Sequence, residues 1–444
     1  MRKLIVVVVA LVMVGVGAYV AAGAMAGPVI TLTAPGAFAS ASIPVAGTVD
    51  TAAEAPAAVQ VDFEQGGVRT TVFTGDVSGP LATTITRDSA SGLKIQPGQA
   101  RLFVTAARRV WGIRTVQSEV VAEVNIRLEK PQVSAVSTKH YINLGGSEMI
   151  VYRATPSDVA SGVRVGDVEY PGYPAAGTSV EGVTITDPDL RIAFFALRYD
   201  QDVNVPMTLF ARDPAGQEAT GAFDRLTFPK PFKRSTIAVD DKFMDRVVPA
   251  ILANTTEISP TGSMIEKYVA INNELRTLNN ARIRSMREQT SPELLWNGVV
   301  FHPFTNTKVE AAFADFRTYT YEGTEVDKQV HLGFDLASFA TTPIGAANRG
   351  KVLFAENLGI YGNCVIIDHG MGVQSLYGHL SSFAVQAGAM VEKDQEIGRS
   401  GVTGLAGGDH LHFTMLVNGE MVNPIEWWDG HWITDRILRK LKAS

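Results

Sequence analysis

The chain has 444 residues, 46% hydrophobic and 19% charged, which excludes a disordered tail and predicts two to four units at about 150 residues each. Its net charge of −6, from 39 basic and 45 acidic side chains, argues against a nucleic-acid binder. A single cysteine, Cys364, excludes an intrachain disulfide and a cysteine-rich zinc site, so any metal must be held by histidine and carboxylate.

Arg2 and Lys3 precede an apolar run from Leu4 to about Ala26, and no charged residue follows until Asp50. A helix of that length spans about 34 Å, enough for a bilayer core. Residues 1–27 are therefore expected to form a signal peptide or an N-terminal transmembrane anchor. Ala24-Met25-Ala26 offers a small-x-small cleavage site. Either way the basic flank stays cytoplasmic and the rest is exported, to the periplasm or cell envelope, anchored in the inner membrane if the segment is retained.

Residues 28–129 carry strand signals. Val59, Val61 and Phe63 alternate with polar residues, Gly66-Gly67 offers a turn, and Val68, Thr70 and Val72 resume the pattern. Ala122, Val124, Ile126 and Leu128 alternate in the same way, and Pro131 marks a boundary. The length and patterning predict a β-sandwich module. A second β-rich module is expected over 130–232, with strands at Ile192–Tyr199 and Met207–Ala211 and a turn at Asp213-Pro214-Ala215-Gly216. The turn phrase resembles those of bacterial immunoglobulin-like modules. Neither module contains a chemical constellation, so both are read as spacers.

Residues 233–292 are expected to be a helical connector. Ser263 and Glu266 form a capping-box pattern, and Ile265, Tyr268, Ile271, Leu275 and Leu278 make one apolar stripe. Arg276, Arg282, Arg284 and Arg287 occupy other positions, and Ser291-Pro292 ends the run. The plain expectation is packing on a neighbouring domain. The sharper one is an arm that covers the active groove and inhibits it.

The C-terminal unit, 293–435, holds the chemistry. Of eight histidines only His140 lies before residue 302. Three phrases stand out: His331-Leu332-Gly333-Phe334-Asp335, Tyr377-Gly378-His379-Leu380 and His410-Leu411-His412-Phe413. In extended chain, residues an even number apart share a face, so His410 and His412 project together, as do His331 and Asp335. A catalytic zinc takes three His or carboxylate ligands and leaves a fourth position for water, whose pKa falls to near ~7. The phrases can supply such a set and leave two histidines to move protons or stabilise an oxyanion.

The segment from Val299 to Trp428 resembles the lysostaphin-type (LytM-type) zinc peptidases, which cut peptide cross-links of peptidoglycan. The strand-turn phrase Gly362–Gly372, the loop Gly401-Val402-Thr403-Gly404, and the closing hairpin at Asn418-Gly419 and Val422-Asn423-Pro424 belong to the resemblance. It implies one Zn2+ per chain held by His331, Asp335 and His412, with His379 and His410 assisting catalysis. It further implies a peptidoglycan peptide as substrate. Asp409, before His410, and Thr414, after Phe413, depart from the family's usual residues and bear on substrate preference. Tyr377 is either a hydrogen-bond donor to the transition state or a core tyrosine. His369 is expected to be structural, His302 and His431 to lie at the surface, and Cys364 to be a buried small hydrophobe.

The expected fold is multidomain and mainly β: two β-sandwich (Ig-like) modules, the helical connector and an antiparallel β-sheet peptidase domain of LytM type. The expected function is an exported zinc metalloendopeptidase acting on peptidoglycan. The alternative is a non-catalytic envelope scaffold or activator of cell-wall amidases that keeps the fold. An intact ligand set favours the enzyme.

Overall fold

A computed structural model describes residues 2–51, 55–180 and 182–443; Met1, and the side chains of Arg2 and Lys3 on which the topological expectation rests, lie outside the described residues. The fold is mainly β and divides into two compact units, Met1–Pro131 with Arg212–Glu218, and Gln132–Ala211 with Ala219–Ser444.

In the first unit the helix Arg2–Ala24 contains a stretch, Val7–Ala24, of mean hydropathy 2.3, long and apolar enough to cross a membrane. A three-stranded and a five-stranded sheet follow. The alternating residues close a core between them: Val59, Val61 and Phe63 are buried with Ile43, Val45, Leu102, Val104 and Ile126. Gly66 and Gly67, at φ 60° and 80°, make the predicted hairpin turn, which a side chain would strain. The Asp213–Gly216 turn belongs to this unit. Gln217 donates its backbone N–H to the Asp213 carboxylate and its side-chain amide to the carbonyls of Arg127 and Glu129.

The second unit has one continuous core running from Ile142 to Leu441, so residues 132–211 do not close a core of their own. Trp427 donates its indole N–H to Ser147 (3.1 Å), and the Glu426 carboxylate accepts from Asn143 and the Ser147 backbone, both at 2.9 Å. Lys440 pairs with the buried Glu148 at 2.8 Å. The expected strand Ile192–Tyr199 spans Leu190–Ala196 instead. Its C-terminal end is diverted by a turn in which Arg198 accepts from the Gln201 N–H and donates its own N–H to the Gln201 side chain.

The expected helical connector opens with a strand, β1 (Arg234–Ala238), parallel to β2 (Asp315–Tyr321), which pairs with β3 (Thr324–His331). Ser235 fixes this register by donating to Asp315. Helices α1 (Asp241–Leu252), α2 (Met264–Ala270) and α3 (Arg276–Ser285) follow, and the Ser263–Glu266 capping box forms as predicted. Tyr268, Ile271 and Leu275 are buried, but Leu278 is 40% exposed. A π turn at Ile271–Leu275 adds one residue between α2 and α3 and rotates the face, so Asn279, Ile283 and Met286 continue the buried line.

The strands that carry the candidate site's sheet are β4 (Phe334–Ala337), β5 (Gly350–Asn357), β6 (Asn363–Asp368), β7 (Val373–Leu380) and β8 (Leu411–Val417). They form one antiparallel sheet in the order β4-β8-β7-β6-β5, extended by short edge strands at Lys308–Ala311 and Met390–Val391.

In the turn between β6 and β7 His369 is fully buried: Nδ1–H donates to the Arg349 carbonyl at 2.8 Å and Nε2 lies 2.8 Å from Ser375 Oγ. Burial pushes its pKa down to about 4. The folded chain therefore keeps it neutral where the unfolded chain, near 6.5, takes up a proton. Its contribution to stability is complete above pH 6.5 and is lost as pH falls towards 4, at a limiting slope of about 1.4 kcal/mol per pH unit. Denaturant melts of His369→Gln are expected to show a shallower fall over that window; an unchanged slope would refute the assignment. His140, also depressed to about 4 by burial, keeps part of the dependence in the variant.

Candidate metal centre

Strand register brings the phrases together. His331 ends β3, Leu332 and Gly333 make the turn, and Asp335 sits on β4 opposite His412 of β8. On the other side of β8, Gly378 of β7 opposes His412, which places His379 beside it. His410 stands just before β8, held by an isolated bridge to Gly401. All five residues expected to carry chemistry therefore meet at one end of the sheet.

Three atoms form a tight triangle. His331 Nε2 lies 2.9 Å from Asp335 Oδ1 and 3.1 Å from His412 Nδ1, and His412 Nδ1 lies 3.0 Å from Asp335 Oδ1. His331 donates Nδ1–H to the Ala312 carbonyl (3.1 Å), which leaves the Nε2 lone pair facing the triangle. Burial drives the pKa of His412 down to about 4, so that ring stays neutral. Burial also opposes ionisation of Asp335, yet His331, His410 and His412 reverse this and hold its carboxyl well below the ordinary value. Two imidazoles and one carboxylate converging in this way fit a divalent cation, and the three residues could hold one.

Gly333 makes room for the His412 ring. A Cβ there would lie 2.5 Å from His412 Cε1 and 2.6 Å from Nε2. Gly333→Ala is expected to displace the ring and weaken metal affinity by about 10-fold or more, in the range seen when ligand supports are lost, with the fold retained. A zinc competition titration that finds wild-type affinity would overturn this.

The two spare imidazoles face the same space. His379 donates Nδ1–H to the Thr403 carbonyl at 2.8 Å, and its ring centroid is 4.8 Å from that of His410. Its φ of 64° is a conformation that non-glycine residues rarely adopt, held here by the surrounding sheet. His410 donates Nδ1–H to the Gly408 carbonyl, which leaves Nε2 3.5 Å from Asp335 Oδ1. Burial lowers the pKa of His379 well below its ordinary value. Burial also opposes protonation of His410, but the Asp335 carboxylate outweighs it and raises that pKa.

Asp409 and Thr414 now have structural accounts. The Asp409 carboxylate accepts from Ser400 Oγ at 2.6 Å and from the Thr341 N–H at 3.1 Å, which ties together the two loops beside His410. Thr414 is fully buried in β8. Tyr377 is a core tyrosine: its hydroxyl accepts from the Ala347 N–H at 2.7 Å and lies 2.9 Å from Ser375 Oγ. Cys364 is buried, whereas His302 and His431 are exposed.

The centre opens into a cavity of about 330 Å³. One wall comes from the 233–292 segment, through Ile237, Asp240, Phe243, Tyr268, Asn272 and Arg276. Arg317 of β2 also faces it, with Nη2 3.5 Å from Asp335 Oδ2, the oxygen turned away from the triangle. Sequence reading missed Arg317, Tyr361, Asn272 and Arg276. None lies in a motif, and only the polar interruption of an apolar stripe at Asn272 and Arg276 could have drawn notice.

Residues 329–424 match the model of Peptidase family M23, so this segment is an M23 (LytM-type) domain. Over 97 residues, 22% of each chain, the sequence is 42% identical to the DD-carboxypeptidase/endopeptidase Mpg of Neisseria meningitidis serogroup B. It is 38% identical to the peptidoglycan DD-endopeptidase ShyA of Vibrio cholerae serotype O1 over 96 residues, again 22% of each chain. It is 35% identical to the murein hydrolase activator EnvC of Escherichia coli over 95 residues, 21% of this chain and 23% of that one. The matches thus span about a fifth of these relatives' length. Among solved structures, an M23 peptidase of Pseudomonas aeruginosa described as putative aligns over 63% of this chain and 92% of its own, at 22% identity and a TM-score of 0.38.

Proposed function

We propose that this chain, whose residues 329–424 form a peptidase family M23 domain, is an exported zinc metalloendopeptidase that hydrolyses peptide cross-links of peptidoglycan through a zinc-activated water. The observation that carries this is the triangle of His331, Asp335 and His412 with two further imidazoles facing the same cavity. Zinc held there would supply Lewis acidity and an acidified water. His331, Asp335 and His412 would be its ligands. His379 and His410, each with Nδ1–H committed to a carbonyl, present Nε2 to the cavity to hold or pass the proton that moves between the water and the leaving amine. Arg317 holds the outer oxygen of Asp335 and keeps Oδ1 turned to the ligand triangle.

The likeness to a relative named as a peptidoglycan DD-endopeptidase supports the substrate class and, with it, an envelope or periplasmic location. The apolar N-terminal helix acts as the export signal or inner-membrane anchor. The first β-rich module, taken as an immunoglobulin-like sandwich, serves as a spacer, and the second, which shares the core of the peptidase unit, serves as a scaffold.

The test is digestion of cross-linked muropeptides by the full chain, with products read by mass spectrometry. Cleavage that stops on chelation and returns with zinc is expected. A folded, zinc-loaded chain that never cleaves them would instead favour the activator reading that the likeness to EnvC suggests.

A further inference from the structure

A second cavity, of about 360 Å³, adjoins the catalytic one: Arg276 and Arg317 stand in the walls of both. Arg234 and Lys328 also line it, and no carboxylate does. Four cations lining one cavity are unexpected in a chain of net charge −6.

Two of them, Arg276 and Arg234, meet only neutral partners. Arg276 gives its hydrogen bonds to the carbonyl and side-chain oxygens of Asn272. Arg234 has its guanidinium carbon 4.9 Å from the centroid of the Phe316 ring. Among the described residues, neither has a carboxylate within ion-pair distance. Arg317 is shared between Asp315 at 3.4 Å and Asp335 at 3.5 Å, and Lys328 meets the exposed Glu325 at 2.8 Å. A concave wall with like charges focuses a positive potential, and the guanidinium fork matches a carboxylate in a bidentate pair.

We propose that this second cavity is a subsite for a free carboxylate on the peptide being cut, and that Arg234 and Arg276 set a preference for substrates that carry one. The identity of the peptide rests on the endopeptidase reading; the charge recognition does not. Arg234 and Arg276 stand on a strand and a helix outside the M23-matched residues.

Binding separates the two ideas. The metal-free full-length chain, which does not turn over substrate, is titrated with a fluorescent cross-linked muropeptide and with the same peptide converted to its carboxamide. The free acid is expected to bind about 10-fold tighter at low salt, with the advantage shrinking as salt screens it. Arg234→Gln with Arg276→Gln should bring the ratio near one, and Arg234→Lys, which keeps the charge, should retain part of it. Equal affinity for acid and amide in the wild type, an unchanged ratio in the double variant, or no binding of either peptide would overturn the subsite. Selective binding by a chain that, loaded with zinc, cleaves neither peptide would sink the endopeptidase reading and leave the subsite standing.

Discussion

Replacing His412 with alanine is expected to strip the chain of its bound divalent ion and to lower muropeptide cleavage by about 10³-fold or more. The ion is worth several kcal/mol of barrier lowering, and each ~1.4 kcal/mol is tenfold in rate. His412 Nδ1 is one corner of the donor triangle, at 3.0 Å from Asp335 Oδ1 and 3.1 Å from His331 Nε2. Two remaining donors are too few for the three protein ligands of a catalytic zinc. The fold should survive, because β8 is paired on both sides and the rest of its inward-facing chain is unchanged. Metal content by elemental analysis and cleavage by mass spectrometry check the two halves separately. Wild-type digestion by this variant would refute the assignment of the centre.

Deleting everything before residue 293 is expected to unfold the peptidase segment rather than release it. The 233–292 segment supplies Tyr268, Ile271, Leu275 and Ile283 to the common core, each at most 2% exposed. It also supplies Asn279, which accepts the Ile360 N–H at 3.0 Å, and Arg284, which pairs with Glu420 at 2.9 Å. Truncating one such apolar side chain to alanine costs about 2–5 kcal/mol, and a whole domain is stable by only about 5–15 kcal/mol. Losing four together, with β1 and the 132–211 module, exceeds that margin. Circular dichroism of a 293–444 fragment should show no cooperative melt. A sharp transition and turnover above that of the full chain would show instead that the segment is a removable inhibitory arm. Its residues do line the cavity that holds the His331, Asp335 and His412 triangle, so regulation of access by a smaller movement is compatible with the geometry.

The candidate chemistry was legible in the sequence because a metal site needs particular side chains and strands alternate their faces. His331, Asp335, His379, His410 and His412 could be chosen from three phrases, and each phrase lies at or beside a strand whose register brings them together. The Ser263–Glu266 box and the Val59–Phe63 alternation were legible for the same reason, being patterns of neighbouring residues with a fixed geometry. The rest depended on contacts far apart in the chain. Glu426 meets Ser147 across 279 positions, and Lys440 meets Glu148 across 292; no local pattern marks either pair. The π turn moved Leu278 off its stripe because one extra residue rotates everything after it, which an apolar period cannot foretell. Side-chain type and spacing were sufficient to name the three residues that the structure brings together as a group able to hold a metal. Only the packed structure could decide that a distant helix and strand wall their cavity and bring Arg276 and Arg317 to it, since burial and proximity are properties of the whole folded chain.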